Sequence, residues 1–145
     1  MMKPTPDFHD AELMLRVYDL RREPLLREAR AAILKQFWPR SYDDIRVVIQ
    51  PDHPLNAYYR QTSTYWEMVY GIARQGIVSP NYWAEFNGEG LFLFARVAPF
   101  VAELRRDTTP TAFRNAEWMA NECSEGRRLF ELFQARVRKA LEARS

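Results

Sequence analysis

The stretch Leu55-Asn56-Ala57-Tyr58-Tyr59-Arg60-Gln61-Thr62-Ser63-Thr64-Tyr65-Trp66-Glu67-Met68-Val69-Tyr70-Gly71-Ile72-Ala73-Arg74-Gln75-Gly76 decides the fold class. Leu55, Tyr58, Tyr59, Thr62, Tyr65, Trp66, Val69, Ile72 and Ala73 recur at steps of three and four. That spacing puts side chains on one face of an α-helix. Arg60, Ser63, Glu67 and Arg74 fall on the opposite side, and Gly76 supplies a C-terminal stop.

Helical spacing continues on both sides of this segment. Upstream, Asp7 is placed to cap a helix whose buried stripe is Leu13, Val17 and Leu20, with Met14 beside it. That helix ends before Pro24, which suits the first turn of a second helix carrying Leu25, Leu26, Ala29, Ala32, Ile33 and Phe37. Ser41-Tyr42-Asp43-Asp44 reads as a cap with an acidic first turn. The β-branched residues Ile45, Val48 and Ile49 that follow suit a short helix or one strand, and a lone strand has no partner here.

Downstream, Ser79-Pro80 restarts a helix with the stripe Trp83, Phe86, Gly90, Phe94, Val97, Val101, Leu104. Asn87-Gly88-Glu89-Gly90 either breaks it or lets a neighbouring helix approach closely. Pro99 removes one backbone hydrogen bond and predicts a kink. Thr111 to Arg144 is helical, with Ser124-Glu125-Gly126 kinking or dividing it. The expected fold is therefore all-α: a single-domain bundle of five or six helices with a long central helix, Pro80 to Arg106, kinked near a proline. The domain spans residues 1–145, with residues 1–6 as a flexible N-terminus.

Composition narrows the function. The 145 residues carry 21 basic and 19 acidic groups, a net charge of +2, too near neutral for a dedicated nucleic-acid binder. The segment 124–145 holds six basic and three acidic residues, which reads as a solvated helix face. Cys123 is the lone cysteine, so no intrachain disulfide forms and no cysteine-based zinc site fits within one chain. Leu91 to Ala102, the longest apolar run, is interrupted by Arg96 and Pro99 and falls short of the ~20 residues of a membrane span. The expectation is a soluble, cytoplasmic protein with no cofactor and no membrane or nucleic-acid partner.

Candidate chemistry is sparse. His9 and His53 are the two histidines, too few for the paired Glu-x-x-His motifs of a di-iron bundle. Glu85, Glu89, Arg96 and Glu103 fall opposite the core stripe and read as a solvated face. Arg46 and His53, separated by six residues, resemble the Arg-x(4–6)-His signature of the HEPN helical ribonucleases. The resemblance implies an Arg–His catalytic pair, but Val47 stands where that family usually has a polar residue, and Pro51 and Pro54 flank the histidine.

Aromatic side chains are the unusual feature. Tyr58, Tyr59, Tyr65, Trp66, Tyr70, Tyr82, Trp83, Phe86, Phe92 and Phe94 lie in one helical hairpin. One reading is core packing plus an oligomer surface. In it Phe92 points away from the stripe and, with Arg96, marks the contact site of a homo-oligomer, expected to be a dimer. The other is a pocket lined by Tyr58, Tyr65, Trp66 and Trp83, with Asn87 as a polar handle. The expected function is non-enzymatic, acting through self-association or partner binding.

A wider resemblance rests on Tyr65-Trp66-Glu67-Met68-Val69, Arg74-Gln75-Gly76-Ile77-Val78-Ser79, Phe94 and Pro99-Phe100-Val101-Ala102-Glu103-Leu104-Arg105. These blocks resemble uncharacterised bacterial helical domains, known only as domains of unknown function. The resemblance spans about 40 residues and implies an all-helical fold and no activity.

Overall fold

In the computed structural model, which describes residues 2–144, nine α-helices and one 3₁₀ turn make up the regular structure, with no strand among the described residues. Met1, part of the segment read as a flexible N-terminus, and Ser145 lie outside the described residues.

Local signals set the first helices. Asp7 caps α1 (Phe8–Arg21), its carboxylate accepting from the amides of His9 and Asp10. Glu23 does the same for α2 (Pro24–Gln36), accepting from Leu25 and Leu26, with Pro24 in the first turn. The segment open to helix or strand is α3 (Tyr42–Val48). The deciding stretch forms α4 (Asn56–Arg74) and ends in Gly76 at φ 82°. That left-handed conformation favours glycine.

The expected long helix from Pro80 to Arg106, kinked near Pro99, is instead α5 (Pro80–Phe86), α6 (Glu89–Val97), a 3₁₀ turn (Ala98–Phe100) and α7 (Val101–Asp107). The bundle thus has more helices than the five or six expected. Asn87 ends α5 by folding its side-chain amide back onto the Trp83 carbonyl (3.0 Å). The break at Asn87-Gly88 and the close approach at Gly90 both occur: a Cβ on Gly90 would lie 2.6 Å from the Tyr70 ring and 2.8 Å from Trp66. Pro99, without an N–H, sits in the 3₁₀ turn that separates α6 from α7. The C-terminal region divides at Cys123, whose extended backbone separates α8 (Arg114–Glu122) from α9 (Ser124–Ala143).

Packing follows the apolar faces. α4 lies between α2 and α8, and α9 crosses α5, α6 and α8. Trp66, Val69, Tyr70, Trp83, Leu91 and Val97 are buried at the centre. Buried Asp10 ties the N-terminus to α5, accepting from Lys3 Nζ (2.5 Å) and the Ser79 amide (2.8 Å). Three residues placed on core stripes by spacing are instead exposed: Leu20 (52%), Leu25 (65%) and Phe86 (52%). No later helix covers them.

Candidate functional site

Of the predicted pocket residues, Tyr65, Trp66, Trp83 and Asn87 form packed core, and their polar groups bond within the chain. Tyr65 Oη donates to the Val17 carbonyl (2.7 Å), and Trp83 Nε1 to the Val69 carbonyl (2.7 Å). Trp66 Nε1 donates to Glu89 Oε2 (3.3 Å). Asn87 Nδ2 donates to the Trp83 carbonyl and reaches Met14 Sδ (3.2 Å), while the Asn87 main-chain carbonyl accepts from Tyr70 Oη (2.5 Å). Tyr58 stands apart at the half-buried edge, donating to Glu28 (3.2 Å). Burial pushes the Tyr65 hydroxyl up to about 12. The expected aromatic-lined cavity is corrected here: Gly90 brings α6 so close to Trp66 and Tyr70 that the rings fill the space.

Phe92 and Arg96 are also corrected as surface markers. Phe92 is half-buried between Trp38 (6.0 Å) and Phe133 of α9 (5.3 Å). Arg96 is 2% exposed and donates through Nη1 to the carbonyls of Ile33 (3.0 Å) and Phe37 (2.8 Å). Burial, and then the nearby Arg144, pull its pKa down to about 10, so it stays charged at neutral pH. Glu89, also read as solvated, is half-buried and receives both Nε and Nη2 of Arg30 at 2.7 Å. The solvated face fails at these two positions because residues of α2 and its C-cap, far away in sequence, reach them: Arg30 meets Glu89, and the Ile33 and Phe37 carbonyls meet Arg96.

Arg46 and His53 have different partners. Arg46 pairs with Asp43 on its own helix (2.6 Å), and His53 Nδ1 accepts from the Leu55 amide (3.0 Å) in the turn before α4. Among the described residues no cluster of His, Cys, Asp and Glu is arranged to hold a metal. No described helix is long and apolar enough to cross a membrane.

The exposed apolar surface lies elsewhere. α1 buries Met14 and Val17 but leaves Phe8 71%, Leu15 70% and Tyr18 50% exposed. Leu15 and Tyr18 face Tyr82 and Phe86 of α5 across a cleft of about 380 Å³, with Met14 and Arg21 completing its wall. Tyr82 and Phe86 meet edge to face at 5.4 Å, and Arg21 lies 5.0 Å from the Tyr18 ring. Large aromatic and aliphatic groups left in water together mark a contact surface. The expected hairpin contributes Tyr82 and Phe86, but α1 supplies the other wall. The missed signal is that Leu13, Met14, Leu15, Val17, Tyr18 and Leu20 exceed what one face of α1 can bury.

A family model described as a domain of unknown function (DUF4760) matches residues 6–123. The chain belongs to this family. The match takes in α1 to α8 and stops at Cys123, where α9 begins, so both walls of the α1–α5 cleft lie inside it. It extends the 40-residue resemblance over most of the chain, and the described helices agree with the all-helical expectation. No curated protein and no solved structure matches the chain.

Proposed function

We propose that the protein is non-enzymatic and acts by pairing with a second copy of itself through the α1–α5 face. The observation that carries this reading is the strip of Leu15, Tyr18 and Phe86, each at least half exposed and gathered on one cleft. Charge along α1 favours a second copy as occupant. Glu12 lies in its N-terminal part, after an N-cap Asp7 that pairs with Lys3 (2.9 Å), and Arg16 and Arg21 lie in its C-terminal part with Arg22 at the C-cap and Asp19 the one carboxylate among them. An antiparallel pair of α1 helices, as two-fold symmetry allows, sets the acidic part of each against the basic part of the other.

Sedimentation velocity on the full chain tests this. The expected result is a concentration-dependent dimer, weakened about thirtyfold or more by Leu15→Glu or Phe86→Glu, as for a central apolar contact. Glu12→Arg and Arg16→Glu each weaken it, and the double exchange restores it. A wild-type monomer up to roughly 100 μM, where even weak specific dimers are populated, overturns the reading. So does a dimer indifferent to both glutamate substitutions.

A further inference from the structure

A second concave surface, sharing no residue with the α1–α5 cleft, lies between the outer face of α4 and the segment 108–113. Its volume is about 520 Å³, within the ~300–1,000 Å³ of small-molecule sites. The walls come from the polar stripe of α4, read from the sequence merely as the side away from the core, and from a threonine-rich loop. Buried Tyr59, Leu104 and Phe113 contribute apolar surface.

Phe113 is the one non-glycine residue with a left-handed backbone among the described residues, at φ 57°. Sterics disfavour that conformation for a bulky residue. It persists where packing over-determines it, and such outliers collect at ligand sites. Here the ring is held against Phe94 (5.9 Å) and Tyr59 (6.4 Å). The same residue ends the loop and begins α8, which brings Arg114 onto the groove.

The charge balance is specific. Arg60, Glu67 and Arg114 line the groove. Glu67 is spent: its two oxygens accept from the amides of Asn115 (3.0 Å) and Ala116 (2.8 Å), closing the first turn of α8. Arg60 commits only Nε, to Asn56 Oδ1 (3.0 Å). Among the described residues the Arg114 guanidinium makes no hydrogen bond or ion pair. Two forks with unspent donors and one occupied carboxylate therefore line the groove, a net charge of +1. The hydroxyls of Thr109 and Thr111 share one hydrogen bond (3.2 Å), which leaves one O–H donor over.

We propose that this groove binds a small organic monoanion, a carboxylate on a flat apolar body. The carboxylate meets the forks of Arg60 and Arg114 and the spare threonine hydroxyl, and the body lies against Tyr59 and Phe113. Guanidinium forks match carboxylate geometry. The single net positive charge favours a monoanion over a dianion, because a second negative charge would meet Glu67.

Isothermal titration of the full chain with 2-naphthoate, its neutral analogue 2-naphthalenemethanol, and inorganic phosphate tests the proposal. The expected result is saturable binding of 2-naphthoate with a Kd of about 1 mM or tighter, with the neutral analogue and phosphate each at least about tenfold weaker. Arg60→Met and Arg114→Met each lower naphthoate affinity about tenfold, and Ser63→Trp, which fills the groove, removes binding. The arginines are exposed, so the two methionine variants keep the fold, and unchanged thermal melting verifies this. The Leu15→Glu variant retains full binding, which separates this site from the dimer surface. Absence of saturable naphthoate binding overturns the proposal. So do equal binding of the neutral analogue, phosphate binding as tightly as naphthoate, or affinity unchanged in both methionine variants.

Discussion

The guanidinium of Arg96 lies 3.7 Å from the centre of the Trp38 indole while its Nη1 donates to the carbonyls of Ile33 and Phe37. One side chain of α6 thereby closes the C-terminal end of α2. The last carbonyls of a helix have no partner within it and carry its negative dipole end. The buried cation supplies a donor to the Phe37 carbonyl and a second one to the Ile33 carbonyl, which also accepts from the Phe37 amide, and the faces of Trp38 and Phe92 (4.6 Å) stand in for water around it.

Replacing Arg96 with Met leaves the Phe37 carbonyl without its donor, while the Ile33 carbonyl keeps the Phe37 amide (3.0 Å). The expected cost is about 2 kcal/mol, the penalty of one orphaned carbonyl together with a lost charged donor. Urea unfolding at neutral pH measures it. Arg96→Lys keeps the charge but not the planar stack, and recovers less than half of the loss.

Glu67 holds the start of α8 through two backbone amides. Glu67→Ala removes both acceptors and costs about 2 kcal/mol. Hydrogen exchange at the Asn115 and Ala116 amides speeds up, while exchange in α2, which Glu67 does not touch, stays as in the wild type.

Two glycines sit where helices cross without room for a methyl group. A Cβ on Gly126 would lie 2.0 Å from the Met119 carbonyl oxygen, and one on Gly90 2.6 Å from the Tyr70 ring. Gly126→Ala is expected to cost about 3 kcal/mol or more, because a backbone carbonyl cannot swing aside. Gly90→Ala costs somewhat less, since rings can shift. Thermal melting of the two variants gives the order.

Asp7 gives a pH signature. Hydrogen bonding to Lys3, then the Asp10 amide, lowers its pKa from 3.8 to about 2. A carboxylate lowered on folding stabilises the native state above its unfolded value and loses that contribution as pH falls through the folded one. The stability difference between wild type and Asp7→Asn therefore narrows between pH 3.8 and about 2. Helix-specific exchange in α1 over that range follows it. A difference that stays constant assigns the cap to hydrogen-bond geometry alone. Burial raises Glu67 instead, so its contribution runs the other way, fullest at low pH and declining as pH rises through the raised value.

Local chemistry was legible in the residues. Asp7, Pro24, Ser79-Pro80 and Gly76 mark helix ends because capping and backbone restriction act within a few residues. The stripe of α4 was legible because 3.6-residue periodicity is local as well. Of the proposed association surface, only the hairpin residues Tyr82 and Phe86 fell within the expected region. Of the groove, Arg60, Ser63 and Glu67 showed as a polar stripe with no stated use.

The amino-acid sequence by itself determined that this chain is helical, where most helices begin and end, and that Asn87-Gly88 is a weak point. Only the tertiary structure decided which faces are covered. Arg96 is buried because α2 and Trp38 pack over it, and Phe92 is half-buried because Phe133 of α9 leans on it. Leu15 and Phe86 remain in water because no later helix reaches them. Spacing along a helix fixes which side chains share a face. What meets that face depends on segments far away in the chain, whose arrangement is set by close packing at contacts such as Gly90 and Gly126.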